Sequence, residues 1–110
     1  MTDKPQDSSS IHWIRDEIER NTESAITALE GYFEHNDSAF IVTAQKALHE
    51  IYGTLQIVEL YPPSTLAHEI EKTLGFIVQH QVTLDSDAIS EIIQSITLII
   101  RYIDLSLIHI

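Results

Sequence analysis

The 110-residue chain predicts an all-α protein, an antiparallel up-down-up-down four-helix bundle. Three observations predict it. Apolar residues recur at the three- and four-residue spacing of a helix face in four long stretches. Short runs of Asn, Asp, Ser and Pro separate those stretches. No stretch alternates with the two-residue period of a strand, and none repeats.

Residues 1–10 are polar, lack the apolar run of a signal peptide, and read as a disordered lead-in to a single domain over residues 11–110. Ser8-Ser9-Ser10 is the expected N-cap of helix one, with Asp16 and Glu17 placing negative charge near the helix's positive end. That helix runs to about His35 and buries Ile11, Ile14, Ile18, Thr22, Ala25, Leu29 and Phe33, flanked by Trp13 and Tyr32. After the turn Asn36-Asp37-Ser38, helix two extends from Ala39 until Pro62-Pro63 stops it near Tyr61. Its core stripe is Phe40, Ile41, Ala44, Leu48, Ile51, Leu55 and Val58. Ser64 or Thr65 should cap helix three, which buries Leu66, Ala67, Ile70, Leu74, Ile77 and Val78 and fades around Gln79 to Gln81. Asp85-Ser86 begins helix four, with Ile89, Ile92, Ile93, Ile96, Ile99, Ile100 and Ile103 inward. The apolar end Leu107-Ile108-His109-Ile110 stops in mid-pattern without a cap, so the chain reads as cut from a longer polypeptide.

Composition excludes several functions. A formal net charge of -11 argues against nucleic acid and anionic membrane as partners. The absence of cysteine rules out disulfides and thiolate zinc sites and fits a cytoplasmic location. The most apolar segment, from Ile89 to Ile110, is interrupted by Glu91, Gln94, Arg101 and Asp104, so it is not a membrane span. No Gly-rich phosphate cradle is present. His49-Glu50 opens like the zinc motif His-Glu-x-x-His, but residue 53 is glycine. No metal site is expected.

Helix two carries one feature that a core-packing helix does not need. His49, Gly53 and Lys46 lie opposite its apolar stripe, and a glycine inside a helix costs about 1 kcal/mol relative to alanine. Gly53, one turn past an outward imidazole, suggests that something approaches His49 closely. If helices two and three form a hairpin about Pro62-Pro63, facing residues have numbers summing to roughly 125, within a turn either way. His49 is then level with about Gly75, and Glu71 is within reach. Helix three turns His68, Glu71, Lys72 and Gly75 toward the same groove. His12, His35, His80 and His109 lie near helix ends or in the tail without a paired carboxylate at a useful spacing, and are read as ordinary surface histidines.

The run His49-x-Ile51-x-Gly53 resembles the phosphoacceptor motif of histidine-containing phosphotransfer (HPt) domains, in which a lysine usually stands where this chain has Tyr52. His68-Glu69-Ile70-Glu71 is similar to the next helix of the HPt domains of chemotaxis-type histidine kinases, where a glutamate bonds the phosphoacceptor and a second histidine precedes it by three residues. Gly53-Thr54-Leu55 and Val58-Glu59-Leu60-Tyr61 resemble the N-terminal HPt modules of large hybrid kinases that control type IV pili.

The resemblance implies that His49 accepts a phosphoryl group from a histidine kinase catalytic domain and passes it to an aspartate of a response-regulator receiver domain. It implies that Glu71 orients the imidazole, that Lys46 or Lys72 stands in for the missing lysine, and that His68 neighbours the site. Tyr52, Gly53, Gln56 and Gly75 fall on the surface that partners would touch. ATP and Mg²⁺ would come through the partner domains, with no cofactor bound here. Two other readings stand beside this one: a degenerate HPt-like module that docks signalling partners without carrying phosphate, which Tyr52 would suit, and a four-helix interaction module whose likeness is accidental.

Overall fold

A computed structural model describes the backbone of residues 3–108 and the side chains of residues 12–106. The expected core role of the Ile11 side chain and the uncapped end at Leu107-Ile108-His109-Ile110 lie outside what it describes. Four helices follow one another: α1 (Asp3–His35), α2 (Ala39–Ile57), α3 (Tyr61–Gln79) and α4 (Ser86–Ile108). α1 packs on α2 and α4, and α3 packs on α2 and α4. That is the antiparallel up-down-up-down bundle. The body measures 54 × 20 × 19 Å, and α1, 33 residues long, runs well past the 19-residue α2 and α3.

The core lies where the periodicity puts it. Ile18, Leu29, Ile41, Leu48, Ile51, Leu55, Leu74, Ile96, Ile99 and Ile103 are fully enclosed. Phe33, expected inside, is 61% exposed, and Tyr32 takes its place at 5%. Tyr32 can be buried because its phenol oxygen accepts a hydrogen bond from the Leu84 N–H at 3.2 Å, which gives the polar tip a partner.

Helix boundaries differ from expectation where the backbone turns without glycine. α1 begins at Asp3, so Ser8 to Ser10 lie within it instead of capping it. Pro5 falls in the first turn, where its missing N–H costs nothing, and no Gly or Pro interrupts residues 6–30. α2 ends at Ile57, not near Tyr61. Glu59 adopts a left-handed conformation (φ 63°), and the Leu60 N–H bonds the Leu55 carbonyl at 3.0 Å, closing the helix as a Schellman motif. Pro62 and Pro63 consequently occupy the first turn of α3, a position proline favours. Ser64 does not cap that helix. It is 1% exposed, and its hydroxyl donates to Gln56 Oε1 at 3.1 Å, tying α3 to α2. Aspartates bond the first turns of α2 and α4: Asp37 Oδ1 accepts from the Ala39 N–H at 2.9 Å, and Asp85 Oδ1 from the Ala88 N–H at 2.8 Å.

Candidate functional site on the α2–α3 face

His49 is carried outward because its neighbours Leu48 and Ile51 are drawn fully into the core. Its side chain is 66% exposed. On α3, Ile70 and Leu74 are buried on either side of Glu71, which holds that carboxylate low on the helix flank at 18% exposure. The two meet: His49 Nδ1 lies 2.8 Å from Glu71 Oε2. A carboxylate only accepts, so the proton of this bond sits on Nδ1 and the lone pair of the neutral ring sits on Nε2. A mostly exposed ring bonded through Nδ1 leaves Nε2 as its reactive atom. Glu71 Oε1 is buried without a hydrogen-bond partner among the described residues.

The hairpin register differs from the expected one. Facing residues have numbers that add to 120, as 49 and 71 do: Gln45 meets Gly75, Tyr52 meets His68, and Gln56 meets Ser64. Because the turn is centred on residues 58–60 and not on Pro62-Pro63, Gly75 is level with Gln45 and lies one turn beyond the His49 rung. There a Cβ would come within 2.8 Å of Gln45 Nε2. Gly53 differs, since a Cβ at this position meets nothing within 4 Å.

The remaining expected residues surround the pair unequally. Tyr52 is half-buried and stacks on His68, with ring centroids 4.5 Å apart and 17° between planes. Its ring centroid is 6.4 Å from that of His49. Lys72 is held by Glu69 at 3.0 Å, and the exposed Lys46 forms no ion pair among the described residues. Gln56 is engaged by Ser64. Reasoning from sequence missed Gln45 and Ser64, whose signal was the register itself: both fall on rungs once the turn centre is known.

Among the described residues, no three of His, Cys, Asp and Glu converge as a metal ligand set, and no helix is long and apolar enough to cross a membrane. Compared with known proteins, the chain matches no family model, no curated protein and no solved structure.

Proposed function

We propose that the chain is a phosphoryl-carrier module of HPt type, in which His49 takes a phosphoryl group from a histidine kinase catalytic domain and gives it to a response-regulator aspartate in the cytoplasm. The observation that supports it is the 2.8 Å bond from His49 Nδ1 to Glu71, made by a ring that is otherwise exposed. His49 Nε2 attacks the γ-phosphorus of ATP held with Mg²⁺ by the kinase. A P–N bond forms as the bond to the bridging oxygen breaks, and ADP departs. Positive charge grows on the ring during attack, and the Glu71 carboxylate at Nδ1–H offsets it. In the second step the aspartate carboxylate attacks the same phosphorus, the P–N bond breaks, and His49 returns to neutral.

Incubation with a histidine kinase and labelled ATP should put an acid-labile, alkali-stable label on His49. His49→Gln should abolish it while leaving the fold intact to within roughly 0.5 kcal/mol, since the position is exposed. Label retained in His49→Gln refutes the assignment. One observation favours a second reading, a docking module that carries no phosphate: Tyr52 occupies the usual lysine position and is engaged by His68, while Lys72 is engaged by Glu69. Kinase binding without label supports that reading.

A further inference from the structure

The face opposite the His49 site has its own concavity. Between the C-terminal part of α1 and the N-terminal part of α4 lies a groove of about 490 Å³, with Phe33 on the α1 wall, Ile93 on the α4 wall and Ile89 lining it. Phe33 is 61% exposed and Ile89 only 4%, so an exposed phenyl ring borders a trough whose apolar lining is Phe33, Ile89 and Ile93.

The rim of this trough is acidic. Glu30 and Glu34 line its α1 edge, Gln94 lies on the opposite edge, and no lysine or arginine lines it. Glu23, exposed and outside the groove's lining, lies on α1 seven residues before Glu30. Spacings of seven and four keep Glu23, Glu30 and Glu34 on one side of α1 over about 16 Å, three turns of helix. Glu23 and Glu30 have no ion-pair partner among the described residues, and Glu34 has only the His35 ring at 3.8 Å.

We propose that this groove docks a basic amphipathic helix of another protein. Two parallel walls of helix accept a third helix as a ridge between them. Its apolar stripe would cover Phe33 and Ile93, and lysines or arginines spaced by seven and four would meet the three glutamates. A second copy of this chain is the wrong occupant, because each copy carries a net charge of -11 and would set acidic edge against acidic edge. α2 and α3 form the other side of the bundle, so a helix in this groove leaves His49 open. The inference is therefore independent of the phosphoryl-carrier reading.

The test uses a fluorescent synthetic helix with leucines along one stripe and lysines on both flanks, titrated with the intact chain and followed by anisotropy. Binding should saturate at one peptide per chain. Phe33→Ala, and separately the pair Glu30→Gln with Glu34→Gln, should each weaken it by about tenfold or more, as loss of an aromatic anchor or of its charged rim does. The pair Glu50→Gln with Glu69→Gln removes equal charge from α2 and α3, outside this groove, and should leave affinity unchanged. All of these side chains are exposed, and circular dichroism melts confirm that each variant is folded. Equal weakening by the two glutamine pairs overturns the proposal, because the peptide is then reading net charge. Absence of binding, or binding indifferent to Phe33→Ala, overturns it too. So does a dimer that Phe33→Ala dissolves, which assigns the groove to a second copy.

Discussion

Replacing Gly53 by alanine should stabilise the bundle and, by the same act, impair the proposed transfer. A Cβ at Gly53 meets nothing within 4 Å, and no glycine of the described chain has a positive φ, so alanine enters the helix without strain. The gain is the helix-propensity difference plus the lower entropy of the unfolded chain, about 1 kcal/mol together. For a domain of this size that raises the melting temperature by about 4 °C. Gly31→Ala is the internal contrast. Its Cβ would lie 2.6 Å from Phe40 Cε1, in a ring that stacks on His35. Overpacking costs about 1–3 kcal/mol, enough to cancel or reverse the propensity gain. Thermal melts of the two variants by far-UV circular dichroism read both signs. The functional half needs Gly53→Leu as well: if partner loops close over His49 across this open position, transfer should fall about tenfold or more, further for leucine than for alanine. Hydrolysis of phosphorylated His49, which needs only water, should stay constant. A Gly53→Ala protein that melts no higher than the unmodified one refutes the open-space argument. Equal transfer rates in all three proteins refute the close approach.

Glu71→Ala should slow labelling of His49 by about ten- to a hundredfold, because the ring loses the group that fixes its tautomer. Stability should change by no more than about 0.5 kcal/mol, since the substitution also removes a buried oxygen that has no partner among the described residues; an unchanged labelling rate ends the assignment. Ser64→Ala deletes the hydroxyl joining α3 to Gln56 and should lower the urea midpoint by the equivalent of about 1 kcal/mol at constant slope. Arg15 grips Asp104 through Nε at 2.9 Å and Nη2 at 3.3 Å and Glu19 at 2.7 Å, so Arg15→Gln should cost about 1 kcal/mol, less in high salt. The hydrogen bond to Asp104 raises the Arg15 pKa above its ordinary value. The contribution of the guanidinium is therefore complete at neutral pH and is lost only in strong alkali, as pH rises through the raised value; a denaturation series across neutral pH should show no step from this group.

The helices were legible because burial imposes a period on them. Ile89, Ile96, Ile99 and Ile103 repeat at helix spacing, and all four are enclosed. The position of the turn between α2 and α3 was not legible, for a physical reason: it depends on a left-handed Glu59, and no glycine marks the place. Pro62-Pro63 is equally compatible with ending one helix and with opening the next. The His49–Glu71 pair was found despite the misplaced turn because both residues lie on outward stripes and an error of about one helical turn was allowed. Gln45 opposite Gly75 required the true register. The exchange of Phe33 for Tyr32 depends on Leu84, far away in sequence, whose N–H gives the phenol its partner. Local pattern carries no trace of that bond.

The rungs joining α2 to α3 have a consequence for how portable the site is. Residues 45, 49, 52 and 56 face 75, 71, 68 and 64, and the steps of four, three and four are the same on both helices. This is the seven-residue repeat of two helices lying nearly side by side. The repeat places positions 45 and 75 on a rung like that of 49 and 71 one turn, about 6 Å, nearer the α1–α2 end, although the close approach at Gly75 leaves a side chain there less room. The scaffold sets the geometry of the pair, while sequence chooses its height.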